Sequence, residues 1–234
     1  MGTLFVVPTP IGNIKDITFR ALEVLGSVDA IACEDTRKAG NLLKRLRETF
    51  PSFQKERTHL ISYYEQNEFR KIPEIVTSLI NGLNIALVTD AGMPGISDPG
   101  YRLITACIEQ GIAVEVLPGP DSATTALIAS GLPPDKFLFL GFLPHKPGNR
   151  KKLLEQVEKG ILKKTVIFFE APHKIVRTLE ELQTVFGDIP IVLCRELTKI
   201  YQEIRREKIS ESLTHFQKTP PKGEFTVLFH HEKP

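Results

Sequence analysis

The chain opens with a regular exchange between short apolar runs and longer amphipathic ones. Residues 3–7 (Thr-Leu-Phe-Val-Val) form a strand-like run. Pro8-Thr9-Pro10-Ile11-Gly12-Asn13 stops it, because proline removes a ladder donor and glycine weakens a strand. Phe19, Leu22 and Leu25 then recur at every third position, which predicts a helix with Asp16 as its cap. Ala30-Ile31-Ala32-Cys33 reads as a buried second strand, closed by Glu34-Asp35-Thr36-Arg37, and Leu42, Leu43 and Leu46 mark the next helix. A short strand is expected at His59-Leu60-Ile61-Ser62. Residues 65–83 read mostly as helix, with Pro73 breaking or restarting it. A fourth strand at Ile85-Ala86-Leu87-Val88, a helix from Tyr101 to about Gln110 and a fifth strand over residues 113–117 follow. Strands that alternate with helices imply βαβ units and a mainly parallel sheet.

The pattern changes after Pro118-Gly119-Pro120. Two prolines around a glycine do not sit inside a continuous element, so this triplet reads as a hinge between a domain of residues 1–117 and one of residues 118–234. Asp121 or Ser122 stands where a helix over residues 123–130 needs its cap. Phe137-Leu138-Phe139-Leu140-Gly141-Phe142-Leu143-Pro144 is a strand with a sharp end. Residues 165–170, 191–194, 201–209 and 225–229 also read as strands, and helices fall near 151–159, 175–186 and 210–217. Strands with hairpin-like neighbours imply a mixed sheet. The expected architecture is α/β in two domains, a parallel sheet followed by a mixed one, without internal repeats or low-complexity segments.

Candidate chemistry concentrates where strands end. The fourth strand runs into Asp90-Ala91-Gly92-Met93-Pro94-Gly95-Ile96-Ser97-Asp98-Pro99-Gly100. In open α/β sheets ligands bind outside the carboxyl ends of the strands. Gly92 and Gly95 let backbone approach a bound molecule closely, and Asp90 offers a carboxylate acceptor at the strand tip. Similar polar turns occupy residues 8–13, 34–37, 170–173 and 195–199. Each has a purely structural account as well. Pro8-Thr9-Pro10 can simply end a strand, Glu34, Asp35 and Arg37 can form a local ion pair and a helix cap, and His173 can start a helix. Their number at strand ends favours a site.

Composition narrows the classes. At 234 residues, 41% hydrophobic and 25% charged, the chain is that of an ordinary globular protein. No apolar stretch approaches the roughly 18 residues of a membrane span. Residues 1–7 lack a charged leader and a cleavage pattern, so a cytoplasmic protein without a signal peptide is expected. Cys33, Cys107 and Cys194 lie far apart in apolar contexts and read as reduced core thiols. A net charge of +2 excludes a wholesale nucleic-acid-binding composition. Basic residues do cluster at Lys38, Lys44, Arg45 and Arg47, at His145, Lys146, Arg150, Lys151 and Lys152, and at Arg205, Arg206 and Lys208. Solvated faces and a charged edge strand are the commoner meaning of such clusters, phosphate contacts the sharper one. No G-x-G-x-x-G follows the first strand, and there is no P-loop, H-E-x-x-H, C-x-x-C or serine nucleophile elbow. Ordinary dinucleotide binding, metal catalysis and covalent acyl chemistry therefore have no handle.

Taken in order, Thr9-Pro10-Ile11-Gly12-Asn13, Glu34-Asp35-Thr36-Arg37, residues 90–100, Pro118-Gly119-Pro120, Phe139 to Pro144, Glu170-Ala171-Pro172-His173 and Arg195-Glu196-Leu197-Thr198-Lys199 resemble the ribosomal RNA small subunit methyltransferase I family, within the tetrapyrrole methylase superfamily. The match runs from residue 3 to about residue 230. Met93 departs from it where threonine is more usual, and Ala171 where serine is common.

The resemblance implies a two-domain tetrapyrrole methylase-like fold, a class III methyltransferase that holds S-adenosylmethionine in the interdomain cleft. It implies 2′-O-methylation of a cytidine ribose in the decoding centre of 16S rRNA, and a homodimer. By position, Pro8, Gly12, Asp90, Ala91, Gly92, Ile96 and Ser97 would surround the cofactor from the first domain. Ser122, Ala123, Leu140, Gly141, Phe142, Ala171, Leu197, Glu224, Phe225 and Thr226 would do so from the hinge and second domain.

A ribose hydroxyl is a weak nucleophile that gains from a proton acceptor or a nearby cation. Glu34, Asp35, Glu170 and His173 are the acceptor candidates, and Arg37, Arg195 and Lys199 are the cations able to steer phosphate. No single base is chosen among them. A near-neutral enzyme holds naked RNA weakly, so assembled 30S subunits are the expected acceptor. A tetrapyrrole C-methyltransferase and a non-catalytic ribosome-binding factor remain as alternatives.

Overall fold

The apolar runs of the first half become five parallel strands: β1 (Thr3–Val6), β2 (Ala30–Cys33), β3 (His59–Ser62), β4 (Ile85–Leu87) and β5 (Ala113–Val116). Their order is β3-β2-β4-β1-β5. The computed structural model describes residues 1–55, 58–160 and 163–231, and the chain separates into two units, Met1–Asp121 and the residues from Ser122 onward.

Every residue of β2 and β4 is buried, as expected of central strands covered on both faces. Alternate residues point to opposite sides. Ile31 and Cys33 meet Leu22 and Leu25 of α1 (Phe19–Ser27) and Leu43 and Leu46 of α2 (Thr36–Thr49). Ala30 and Ala32 face Ile75 and Leu79 of α3 (Glu68–Ile80) and Leu103 and Cys107 of α4 (Tyr101–Glu109).

Three local expectations are corrected. Thr18, not Asp16, caps α1: its hydroxyl accepts from the Ala21 amide at 3.1 Å. Asp16 instead belongs to a 3-10 turn, Ile14–Asp16, which the Asn13 side chain initiates by accepting from Lys15 N. Phe19 is 83% exposed, because the buried stripe of α1 runs through Ala21, Leu22 and Leu25. Pro73 does not interrupt α3. It forfeits one ladder bond, to the carbonyl of Phe69, and packing of Ile75 and Leu79 carries the helix past it.

The second unit holds β6 (Phe137–Phe142), β7 (Lys164–Glu170), β8 (Pro190–Arg195), β9 (Glu203–Lys208) and β10 (Phe225–His231), in the order β6-β7-β10-β8-β9. Only β6 and β7 are parallel; the other pairs are antiparallel. Helices α5 (Ser122–Ser130), α6 (Pro147–Glu158), α7 (Ile175–Phe186) and α8 (Ile209–Lys218) complete it. Leu154, Phe168, Leu179, Leu193 and Val227 centre the core. Charged β9 takes the sheet edge, where unpaired backbone needs protection from further strands. No helix among the described residues is long and apolar enough to cross a membrane.

Candidate functional site

Because β2, β4 and β1 are adjacent, the turns after them open at the same edge of the first sheet. Two backbone hydrogen bonds lock two of these turns together: Thr9 N to Gly92 O and Gly92 N to Thr9 O, both 2.9 Å. Thr9 is fully buried, and its hydroxyl donates to the Thr89 carbonyl at 3.1 Å. Gly92 sits at φ +85°, and a Cβ there would come 3.4 Å from Ile11 Cγ2. Ser97 takes the same left-handed region without being glycine, at φ 62°. A non-glycine residue in that region stores strain of the kind found at ligand-holding loops. The turn after β5 lies against Pro8 so closely that a Cβ on Gly119 would be 2.7 Å from Pro8 Cβ.

A carboxyl pair lies beneath these turns. The hydroxyl of buried Thr89 is 3.1 Å from Glu34 Oε1 and 2.7 Å from Asp98 Oδ2. Burial first, and the neighbouring Asp98 second, push the Glu34 carboxyl up to about 7. Burial also raises Asp98. Asp90, at the tip of β4, accepts from Lys38 Nζ at 2.7 Å. Asp35 caps α2, its Oδ1 accepting the Arg37 amide at 2.8 Å, and it also receives the Arg37 guanidinium at 2.8 and 3.1 Å. Those bonds hold Asp35 well below the usual carboxylate range. It is therefore a poor proton acceptor at neutral pH, while Glu34 is tuned for that task.

The expected cofactor residues of the first unit divide by exposure. Pro8 and Gly92 are buried, Gly12 is half-buried, and Asp90, Ala91, Ile96 and Ser97 are open. Beside Asp90 runs a groove whose walls include Pro10, Gly12, Ile14, Lys38, Asn41 and Arg45.

In the second unit the expected residues take different parts. Glu170 is buried; its Oε2 accepts from Thr178 Oγ1 at 2.7 Å and its Oε1 from the Ala171 amide at 2.9 Å. It ties the end of β7 to the start of α7. His173 is exposed. Lys199 bridges Glu196 at 2.9 Å and Glu224 at 2.8 Å, while Glu196 also accepts the Glu224 amide. Glu196 and Thr198 have positive φ, 50° and 61°, on either side of buried Leu197. Arg195 pairs with Glu203 at 2.9 Å, an engagement that competes with steering phosphate. Phe225, Thr226 and Ala123 are buried, Ser122, Leu140, Gly141 and Ala171 are half-buried, and Phe142 is open beside the Phe169 ring. A register shift between Phe139 and Phe142, with Gly141 at φ 61°, reshapes the end of β6.

All three cysteines are buried free thiols whose burial raises them, Cys33 to about 12. They are core residues, not nucleophiles. Sequence reasoning missed Thr89 and Asp98 as the partners of Glu34, and Lys38 as the partner of Asp90. Asp98 stood in plain view within the acidic turn; the signal was a second carboxylate returning toward the strand end before Pro99-Gly100.

Two α/β units, a parallel sheet with bridged turns at its carboxyl edge and a mixed sheet after it, make up the architecture, and the sequence comparison assigns it to the tetrapyrrole methylases. A sequence model of the tetrapyrrole (corrin/porphyrin) methylases matches residues 3–212. Among solved structures the fold is shared with the uroporphyrin-III-C-methyltransferase of Thermus thermophilus, at a TM-score of 0.66 and 20% identity over 97% of this chain and 94% of that one. It is also shared with the methyltransferase CobJ, at 0.72 and 17% over 100% and 98%.

Two relatives are closer in sequence, and both are called ribosomal RNA small subunit methyltransferase I. The Thermotoga maritima protein is 44% identical over 97% of this chain and 98% of its own length. The Streptococcus pyogenes serotype M1 protein is 47% identical over 97% and 76%. The chain belongs to the ribosomal RNA small subunit methyltransferase I family of tetrapyrrole methylases.

Proposed function

We propose that this protein transfers a methyl group from S-adenosylmethionine to the ribose 2′-oxygen of a cytidine in the decoding centre of 16S rRNA, acting in the cytoplasm as a homodimer on the assembled 30S subunit. The substrate class is supported by the two relatives of 44% and 47% identity, which cover 97% of the chain. The observation that carries the chemistry is the convergence of the turns after β1, β2 and β4 on Thr9, Gly92 and the Glu34–Thr89–Asp98 network.

The residues of the first unit fit such a cofactor. Ala91 and Gly92 offer backbone with little or no side chain, Asp90, whose Oδ2 holds Lys38, keeps its Oδ1 for a hydroxyl or ammonium donor, and Ser97 holds an open hydroxyl on a fixed left-handed turn. When bound, S-adenosylmethionine supplies a methyl group on a positively charged sulfur that leaves as a neutral thioether. The work of the chain is alignment and proton handling. The Thr9–Gly92 bridge fixes the turn, so the order of the site exists before binding. Glu34, raised to about 7, is partly ionised at neutral pH and takes the proton from the attacking hydroxyl. Arg37, with an open guanidinium held by Asp35, shapes the acceptor side. Within the second unit, Glu170 holds the start of α7 in place, Lys199 ties Glu196 to Glu224, and His173 offers an exposed imidazole.

The test is incubation with methyl-labelled S-adenosylmethionine and undermodified 30S subunits, then digestion and mass spectrometry of the nucleosides. Label on a cytidine ribose is the expected result. Cofactor binding without label on RNA would overturn the reading and lead to uroporphyrinogen as acceptor. Retained binding to 30S without cofactor binding would instead identify a non-catalytic ribosome-binding factor. Equal labelling of free 16S rRNA at matched salt would remove the preference for the assembled subunit.

A further inference from the structure

We infer that the groove between α2 and the turn after β1 is a subsite for one phosphodiester of the acceptor's backbone, with Lys38, Asn41 and Arg45 as its donors. This rests on the RNA reading above and adds where the backbone is held.

The three basic clusters of the chain separate once their partners are known. Arg150, at the centre of the second, is buried and donates to Glu181 at 2.5 and 2.6 Å and to the Pro144 carbonyl at 3.1 Å. In the third, Arg205 lies between Glu203 and Glu207, and Arg206 donates to the carbonyls of Ala129 and Ser130. These arginines serve the fold. In the first cluster, Lys38 and Arg45 share a face of α2 with Asn41: the three are spaced i, i+3 and i+7, so they form one stripe. That stripe is a wall of a concave groove, with Pro10, Gly12 and Ile14 also lining it.

The stripe is chemically free to take a ligand. Among the described residues, Arg45 and Asn41 have neither an ion pair nor a side-chain hydrogen bond, although both are exposed. Lys38 has one of its three N–H groups on Asp90, which leaves two. Arginine and lysine donors together are the side chains that recognise phosphate oxygens. Among the charged residues that line the groove, Lys38 and Arg45 outnumber Asp90, so its walls favour an anion, while Asp35 and Glu34 also act on Lys38 from nearby. The helix also carries Arg37 and Lys38 in its first turn, where its dipole disfavours cations. Asp35 and Asp90 offset that placement, and an anion in the groove would do so further. The groove borders Asp90 at the tip of β4, so a backbone phosphate held there lies at the same sheet edge as Glu34.

The test compares Arg45→Ala and Asn41→Ala with Lys44→Ala, a charge loss on the same helix outside the groove. Each variant is assayed for cofactor affinity by calorimetry, for KM and kcat on undermodified 30S subunits, and for the dependence of binding on salt, using both 30S and a short single-stranded oligoribonucleotide. Arg45→Ala should raise KM several-fold and reduce the log–log salt slope by about 0.7–1, one phosphate contact. Its kcat and cofactor affinity should stay near wild type. Asn41→Ala should raise KM with little change in slope. Arg45→Ala and Lys44→Ala with indistinguishable slopes and KM values would overturn the subsite. If the wild-type protein labels no RNA, the function fails on its own assay, and the oligoribonucleotide slopes still decide the groove. A reduced slope for Arg45→Ala keeps it, and an unchanged slope, or no oligonucleotide binding by the wild type, removes it.

Discussion

Glu34 and Asp98 converge on a single hydroxyl, that of Thr89, at 3.1 and 2.7 Å. One hydroxyl carries one proton, so it cannot donate to two carboxylates at once. The arrangement is satisfied when one of the carboxyls keeps a proton, and burial together with Asp98 raises Glu34 to about 7. The ordinary value is 4.5, so between those limits the folded protein binds a proton that the unfolded chain has lost. Stability therefore falls as pH rises through about 4.5 to 7. Glu34→Gln removes that dependence. The variant should be more stable than wild type at pH 7.5, by on the order of 1 kcal/mol after allowance for solvent at a half-buried group. Its urea midpoint should change less between pH 5 and 7.5. A variant that is less stable at pH 7.5, with the wild-type slope, would show that Glu34 is ionised throughout. The same substitution should lower turnover at neutral pH with cofactor affinity retained.

Asp35 and Arg37, just after Glu34 at the start of α2, give a contrasting case. Asp35 holds both the α2 amide and the Arg37 guanidinium, and those bonds depress it. Its stabilising effect is complete above its ordinary value of 3.8 and is lost as pH falls below it. A neutral-pH rate profile should therefore contain no Asp35 titration. Arg37→Ala should raise KM for the RNA acceptor several-fold without changing S-adenosylmethionine affinity. Full turnover and unchanged KM in both Asp35→Ala and Arg37→Ala would remove this turn from the acceptor side.

The bridge between Thr9 and Gly92 makes the cofactor turn sensitive to one methyl group. Alanine at Gly92 would have to keep φ near +85° and place its Cβ 3.4 Å from Ile11. The left-handed conformation alone costs about 1–2 kcal/mol for a residue with a Cβ. Relaxing it would open the two 2.9 Å bonds to Thr9. Gly92→Ala should therefore weaken S-adenosylmethionine binding roughly tenfold and lower the melting temperature. Calorimetric titration at wild-type affinity would show that this turn does not hold the cofactor.

Much of this was legible in the residue pattern because the first sheet is parallel and buried. Strands such as Ala30–Cys33 and Ile85–Leu87 have no polar face to confuse their reading. Helix α7 (Ile175–Phe186) falls on the residues 175–186 that the sequence marks as a helix. What was not legible depended on choices between near-equivalent neighbours. Asp16 and Thr18 are both good caps, and the Asn13-initiated turn decides between them. Pro73 looked like a helix break, yet the packing of Ile75 and Leu79 outweighs one lost bond. In the site, Glu34, Asp90 and Gly92 were visible as strand-end residues. The pairing of Glu34 with Thr89 and Asp98 was not, because it joins residues 55 and 64 positions apart in the chain. The three basic clusters likewise looked alike in sequence, and only their partners separate structural arginines from open ones.

Arg150 is the clearest structural arginine, and its removal should be costly. Its guanidinium is buried, with two N–H groups on Glu181 and one on the Pro144 carbonyl. It thereby holds the turn between β6 and α6 against α7. Arg150→Ala leaves a cavity, an unpaired carbonyl and a carboxylate whose remaining partner is Arg177 at 3.2 Å. Breaking a buried pair from one side costs about 3–5 kcal/mol; the surviving Arg177 contact puts this case near 3. Arg150→Lys should recover only part, because lysine lacks the fork that reaches both carboxylate oxygens. Arg150→Met combined with Glu181→Leu should recover more, since it removes both charges and restores apolar volume. Urea denaturation of the three variants checks the order. If Arg150→Lys proves as stable as wild type, a point charge suffices at this position and the fork geometry contributes nothing.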